Sequence, residues 1–172
     1  KLSGQETAHS VRMSEGIHII GPQITKDHAL VLLTPGGRHF FAIPWRGYSL
    51  YGTTDKDYQG SPDQYRVSKE SIDEFVEEIN STLKEKLLDY SNIVHAYGGL
   101  RPLTDTHTES SYKSSRKYEI IDGEKEGLAG LITVEGGKYT TSRNLAQSAL
   151  KVIGKKLGRK LPPSRTARLP LV

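Results

Sequence analysis

Two tight-turn signals set close together limit this chain's architecture more than any other feature. Pro35-Gly36-Gly37 and Arg46-Gly47 interrupt a series of short apolar runs. Turns that short join antiparallel neighbours, because a parallel crossover needs roughly a dozen residues or more. Residues 29–34, 38–45 and 48–54 read as strands around these turns, and 17–21 as a strand before them. Only two stretches carry helical periodicity. In 67–89, Ile72, Phe75, Val76, Ile79, Leu83 and Leu87 line one face, with Ser71 and Glu74 as a capping box. In 139–157, Leu145, Ala149, Val152, Ile153 and Leu157 share a side. Strands are expected near 93–97, 117–121 and 128–134, and a polar loop over 104–115. Strands, helix, strands, helix, with hairpins in place of steady βαβ alternation, give an α+β fold: a largely antiparallel mixed sheet with two main helices.

With 172 residues the chain can bury the core of one domain. No window approaches the roughly 20 apolar residues that span a bilayer. There is no cysteine, and the histidines (9, 18, 28, 39, 95, 107) lack metal-ligand spacing, so no metal site is expected. Charge is uneven: Lys151 to Arg168 holds seven Lys or Arg and no acid. That run reads either as attraction to an anionic membrane surface or as a solvated helix end with a basic tail. It carries no nucleic-acid motif. Lys1 is not a methionine and the C-terminus stops in apolar sequence, so the chain reads as a piece of a longer protein, with 1–160 as a domain fragment and 161–172 as a linker.

Four places bear chemistry. At Gly136-Gly137-Lys138-Tyr139-Thr140-Thr141-Ser142-Arg143 a strand ends in two glycines and opens into a helix. Glycines admit close backbone approach, and a helix start favours negative charge, to which Lys138 adds. The same pattern also makes a plain strand-to-helix turn, and it lacks P-loop spacing. Arg101 follows Gly98-Gly99-Leu100 and precedes Pro102, which restrains it, for a ligand or for a structural ion pair. Arg116, after a Ser/Lys run, reads alone as a surface residue. His18, flanked by Ile17, Ile19 and Ile20, is a candidate general base or a satisfied polar residue in a strand. Gly52-Thr53-Thr54-Asp55 reads as a turn in which Asp55 bonds local backbone.

Taken in order, these residues resemble the FAD-dependent glycerol-3-phosphate dehydrogenases, within the D-amino-acid-oxidase-like flavoproteins. The resemblance runs over Gly16-Ile17-His18-Ile19-Ile20, Ile43-Pro44-Trp45, Tyr51-Gly52-Thr53-Thr54-Asp55, Gly99-Leu100-Arg101-Pro102-Leu103, Ser115-Arg116 and the turn from Gly136 to Arg143. Tyr139 and Ser142 depart from the family's usual Leu and Tyr at those positions.

The resemblance implies oxidation of sn-glycerol 3-phosphate to dihydroxyacetone phosphate by hydride transfer to FAD, with electrons passed to quinone. It implies His18 as proton acceptor, Arg116 on the phosphate, and Arg101 and Lys138 between the phosphate and the reacting hydroxyl. Gly136, Gly137, Lys138, Tyr139, Thr140 and Thr141 would face the flavin. It further implies a cytoplasmic protein, peripheral at the inner face of the cell membrane. No Gly-x-Gly-x-x-Gly follows a strand, so the nucleotide-binding half is missing and the piece alone is expected to be inactive. An oxidase of glycerol 3-phosphate, amines or 2-hydroxy acids is the nearest alternative. The family's oxidases carry a long insertion between the two arginines, and only 15 positions separate Arg101 from Arg116 here. A non-enzymatic module for a phosphorylated ligand is the second alternative.

Overall fold

A computed structural model describes residues 11–104 and 118–170; Arg116 and nearly all of the expected loop over 104–115 lie outside them. The chain divides into two compact units, Met13–Arg101 and a second made of Pro102–Val172 with Lys1–Arg12.

The first unit is built on β1 (Val11–Gly21), β2 (Leu30–Leu33), β3 (His39–Trp45), β4 (Tyr48–Gly52), β5 (Lys56–Tyr58) and β6 (His95–Thr104). They form one six-stranded sheet in the order β2-β3-β4-β1-β5, with β6 also paired to β1. The pairs β2–β3, β3–β4, β1–β4 and β1–β5 are antiparallel, and the two turn signals require this of the first two. Arg46 and Gly47 turn the β3–β4 hairpin with φ of 51° and 84°, the doubly left-handed geometry that matches strand twist.

Strand alternation separates the two faces of this sheet. Ile17, Ile19, Phe40, Ala42 and Tyr51 point inward and pack with Ile72, Phe75, Val76 and Ile79 of α1 (Lys69–Thr82). Each large apolar side chain so buried contributes about 1.5–3 kcal/mol. Phe40 and Phe75 meet edge to face at 5.9 Å. On the other face Val31, Phe41, Ile43, Trp45 and Tyr48 stay exposed. His18 belongs to that outer face, since its partner is Gly52 and Gly52 in turn pairs with Phe41.

Several boundaries differ from expectation. β1 begins at Val11, six residues before 17–21, and β6 continues through Pro102 to Thr104. A proline is tolerated in a strand where its missing N–H faces no ladder partner. α1 stops at Thr82 although the apolar spacing persists to Leu87. The Asn80 side chain explains this: its Oδ1 accepts from the backbone N–H groups of Leu87 and Leu88, each at 2.9 Å, and its Nδ2 donates to the Leu88 carbonyl at 2.7 Å. Those bonds fold the following residues back against the helix end, so Leu83 and Leu87 reach the core from a loop. The cap is Ser68, whose hydroxyl accepts from Ser71 N–H at 3.0 Å, in place of the Ser71–Glu74 box; Glu74 instead pairs with Lys56 at 2.8 Å.

The second unit holds an antiparallel hairpin, β7 (Glu119–Asp122) and β8 (Ile132–Glu135), followed by α2 (Ser142–Lys156). Lys156, in the last turn of α2, pairs with Asp122 at 2.6 Å and Glu124 at 2.7 Å, tying the helix end to the hairpin. The apolar side of α2 is less covered than its periodicity implies: Ile153 and Leu157 are exposed. Beyond α2, Leu161 packs on Gly154, where a side chain would press on it.

Candidate active site

The candidate residues fall into two groups, one in each unit. In the first, β1 faces β4 at His18–Gly52 and β5 at Glu15–Lys56. Between those pairs Thr53, Thr54 and Asp55 oppose only Gly16 and Ile17, the two-against-three count of a β-bulge, which re-aims side chains. The Gly52–Thr53 peptide is cis. Thr54 Oγ1 accepts from Ile17 N–H at 3.0 Å, fixing the bulge to β1.

The Arg101 guanidinium, arriving from β6, is held at this bulge. Its Nη2 donates to Thr53 Oγ1 at 2.6 Å and to the Thr54 carbonyl at 3.1 Å, and its Nη1 to Ser14 Oγ at 3.4 Å. The Ser14 hydroxyl in turn donates to Asp55 Oδ1. The guanidinium lies across β1 at Gly16, where any Cβ would collide with it. Asp55, read from sequence as a turn residue bonding local backbone, is thus engaged with a side chain 41 positions away.

His18 occupies a similar gap. Its ring lies across Gly52, where a Cβ would strike the imidazole, and it stacks on Tyr97 with ring centroids 5.1 Å apart and planes 9° from parallel. Burial, and secondarily the positive charge of Arg101, hold its pKa below the usual histidine value. At neutral pH the imidazole is therefore uncharged and able to take a proton.

The second group is the strand-to-helix turn after β8. Gly136 and Gly137 have φ of 70° and 94°, a region L side chains rarely adopt. A Cβ on Gly137 would stand 3.1 Å from Leu145 and 3.5 Å from Tyr118, so the turn is tight against α2 from within. A 3-10 turn over Tyr139–Thr141 precedes α2, which starts three residues later than expected. Thr141 closes that turn: its N–H donates to the Lys138 carbonyl at 2.9 Å and its Oγ1 accepts from Lys138 N–H at 3.1 Å. Lys138, Tyr139 and Thr140 are exposed, Tyr139 to 97%.

The geometry therefore joins His18 and Arg101 in one unit and puts Lys138 with the glycine turn in the other; Arg116 is outside the described residues. Sequence reading missed Ser14, Thr53, Asp55 and Tyr97 as partners of the two principal side chains. The available signal was Gly16 and Gly52, because a glycine inside an apolar strand marks a close approach. Among the described residues no cluster of His, Asp or Glu suits a metal ion, and no helix is long and apolar enough to cross a membrane.

The family model described as FAD dependent oxidoreductase matches residues 2–142. A glycerol-3-phosphate dehydrogenase from Pseudomonas aeruginosa is 34% identical over 169 residues, covering 97% of this chain and 33% of that protein. The aerobic glycerol-3-phosphate dehydrogenase of Escherichia coli is 35% identical over 145 residues, covering 83% of this chain and 29% of its own length. Among solved structures, the glycerol-3-phosphate dehydrogenase from Bacillus halodurans complexed with FAD superposes with a TM-score of 0.74 at 25% identity, covering 95% of this chain and 31% of that one. The chain thus spans about a third of the length of these relatives.

Proposed function

Because this chain belongs to the FAD dependent oxidoreductase family, we propose that it is the substrate-holding part of an FAD-dependent glycerol-3-phosphate dehydrogenase. The observation that carries the reading is His18 held against Gly52 on β1, beside the bulge that fixes the Arg101 guanidinium; burial, then the charge of Arg101, lowers the His18 pKa. Oxidising C2 of sn-glycerol 3-phosphate to the ketone of dihydroxyacetone phosphate removes a hydride from carbon and a proton from its hydroxyl. His18 accepts that proton. Arg101 cannot act as a base, because guanidinium stays protonated up to a pH above about 12, and it stabilises the developing alkoxide instead. Arg116 binds the phosphate through charge-assisted bonds, and Lys138 contributes a further cation.

The turn after β8 supports the flavin part of this reading. Two left-handed glycines present bare backbone, and the exposed start of a helix favours negative charge. Gly136, Gly137, Lys138, Tyr139, Thr140 and Thr141 would hold it. FAD, when bound, supplies the acceptor for two electrons. The reading extends to quinone as the final acceptor and to a cytoplasmic protein, peripheral at the inner face of the cell membrane. The exposed Lys151, Lys155, Arg159, Lys160, Arg165 and Arg168 support that placement through attraction to anionic headgroups. The 172 residues by themselves are expected to be inactive.

The deciding experiment is anaerobic single-turnover reduction of the flavin by glycerol 3-phosphate in the full-length enzyme. His18→Ala should slow it by about 100-fold or more, the usual contribution of a positioned general base. Reduction at the parent rate would overturn the assignment.

A further inference from the structure

An imidazole in the middle of a strand has no inherent reason to hold one ring orientation, because its χ2 torsion is broad. His18 nevertheless lies between two features that leave its ring one plane. On one side is Gly52, its cross-strand partner, where no side chain can stand without striking the ring. On the other is the Tyr97 ring, stacked 9° from parallel. Tyr97 is 43% exposed, so core burial does not account for an aromatic residue there. Among the described residues its hydroxyl makes no hydrogen bond; its partners are the rings of His18 and His95, the latter at 6.1 Å and 27°. The side chain is therefore engaged through its face alone.

We propose that Tyr97 and Gly52 form a slot that fixes the plane of the His18 imidazole, making Tyr97 a positioning residue for proton transfer. This rests on the reading of His18 as the proton acceptor. A base must come within hydrogen-bond reach, roughly 2.6–3.2 Å, of the proton it removes. Displacement by about 1 Å is enough to cost on the order of 100-fold in rate. The slot also excludes water from one face of the imidazole, consistent with burial as the main cause of its depressed pKa. The groups facing His18 are Arg101 and Tyr97 from β6, with His95 beyond Tyr97, and Gly52 from β4. Of these Arg101 alone is a permanent charge, and it acts in the same direction as burial.

The test has two arms. In the 172-residue chain, the His18 Cε1–H resonance is followed by NMR against pH in the parent, Tyr97→Phe and Tyr97→Ala. Phe keeps the stacked face and should leave the titration where it is; Ala admits water and should move it up, towards the ordinary histidine value. Unchanged titration in Tyr97→Ala would overturn the slot. In the full-length, FAD-loaded enzyme, Tyr97→Ala should lower kcat by about 10-fold or more with the KM for glycerol 3-phosphate unchanged, and Tyr97→Phe should stay within about twofold of the parent. Equal losses in both variants would show that the ring face is not what matters and would also overturn it. A His18→Ala enzyme with normal turnover would instead remove the functional reading while leaving the NMR result intact, so the two failures are distinguishable.

Discussion

Replacing Glu15 by Gln should destabilise the first unit by about 2 kcal/mol. Glu15 is 6% exposed on β1, one residue before the glycine crossed by Arg101. Its carboxylate accepts from Tyr65 OH at 3.0 Å and from Ser71 Oγ at 2.9 Å, joining β1 to the loop before α1 and to the first turn of that helix. Hydrogen bonds to a charged group contribute roughly 1.5–3 kcal/mol each, against roughly 0.5–1.5 for neutral pairs. Gln preserves shape and volume, so the expected loss is about 1 kcal/mol per bond, or about 2 in total. One amide end must also donate where the carboxylate accepted, and the Ser71 hydroxyl already accepts from Ser68. Urea denaturation followed by far-UV circular dichroism measures the change. Tyr65 supplies an independent reading: burial first, then the bond and charge of Glu15, raise its pKa to about 12. A group whose folded pKa is raised contributes stability below its unfolded pKa, here about 10, and loses it as pH rises through the folded value. In Glu15→Gln that alkaline window should narrow from its upper end, with burial keeping Tyr65 above its ordinary value; comparison with Tyr65→Phe isolates its absorbance change. A stability loss under about 0.5 kcal/mol, typical of an inconsequential surface change, would refute the account.

Three further outcomes are expected. Gly137→Ala forces an L residue to φ near 94° and presses a methyl on Leu145, so urea denaturation should show the second unit weakened by about 1–2 kcal/mol. His18, with its folded pKa depressed, makes stability fall as pH drops below the unfolded value of about 6.5 and level off beneath the folded pKa; His18→Gln should lose that increment when urea midpoints at pH 7.5 and pH 5.5 are compared. Arg116→Ala in the full-length enzyme should raise the KM for glycerol 3-phosphate roughly 10-fold or more, as loss of a charge-assisted phosphate bond does, and steady-state kinetics would show an unchanged KM if the residue is only structural.

The hairpins were legible because their turns are written in local residues: Arg46-Gly47 needs left-handed backbone, and the strands beside it alternate. The end of α1 was not, because Leu83 and Leu87 keep helical spacing while the side chain of Asn80 decides where the helix stops. The candidate site divided the same way. His18 and Arg101 stand out by type and neighbours. Their supports come from strand register, which places Thr53, Thr54 and Asp55 opposite Gly16 and Ile17 and leaves the Arg101 guanidinium to close the gap. Contacts set by register are non-local, and no window of sequence contains them.

The outer face of the sheet has a practical consequence. Trp45 is the sole tryptophan of the chain, 47% exposed, with the Arg46 guanidinium 5.6 Å above its ring, and it shares that face with His18. Its fluorescence is therefore a built-in reporter of how wet this surface is. Any body that covers it, whether the remainder of a longer polypeptide or a second molecule, will shift the emission to the blue without a label having been introduced.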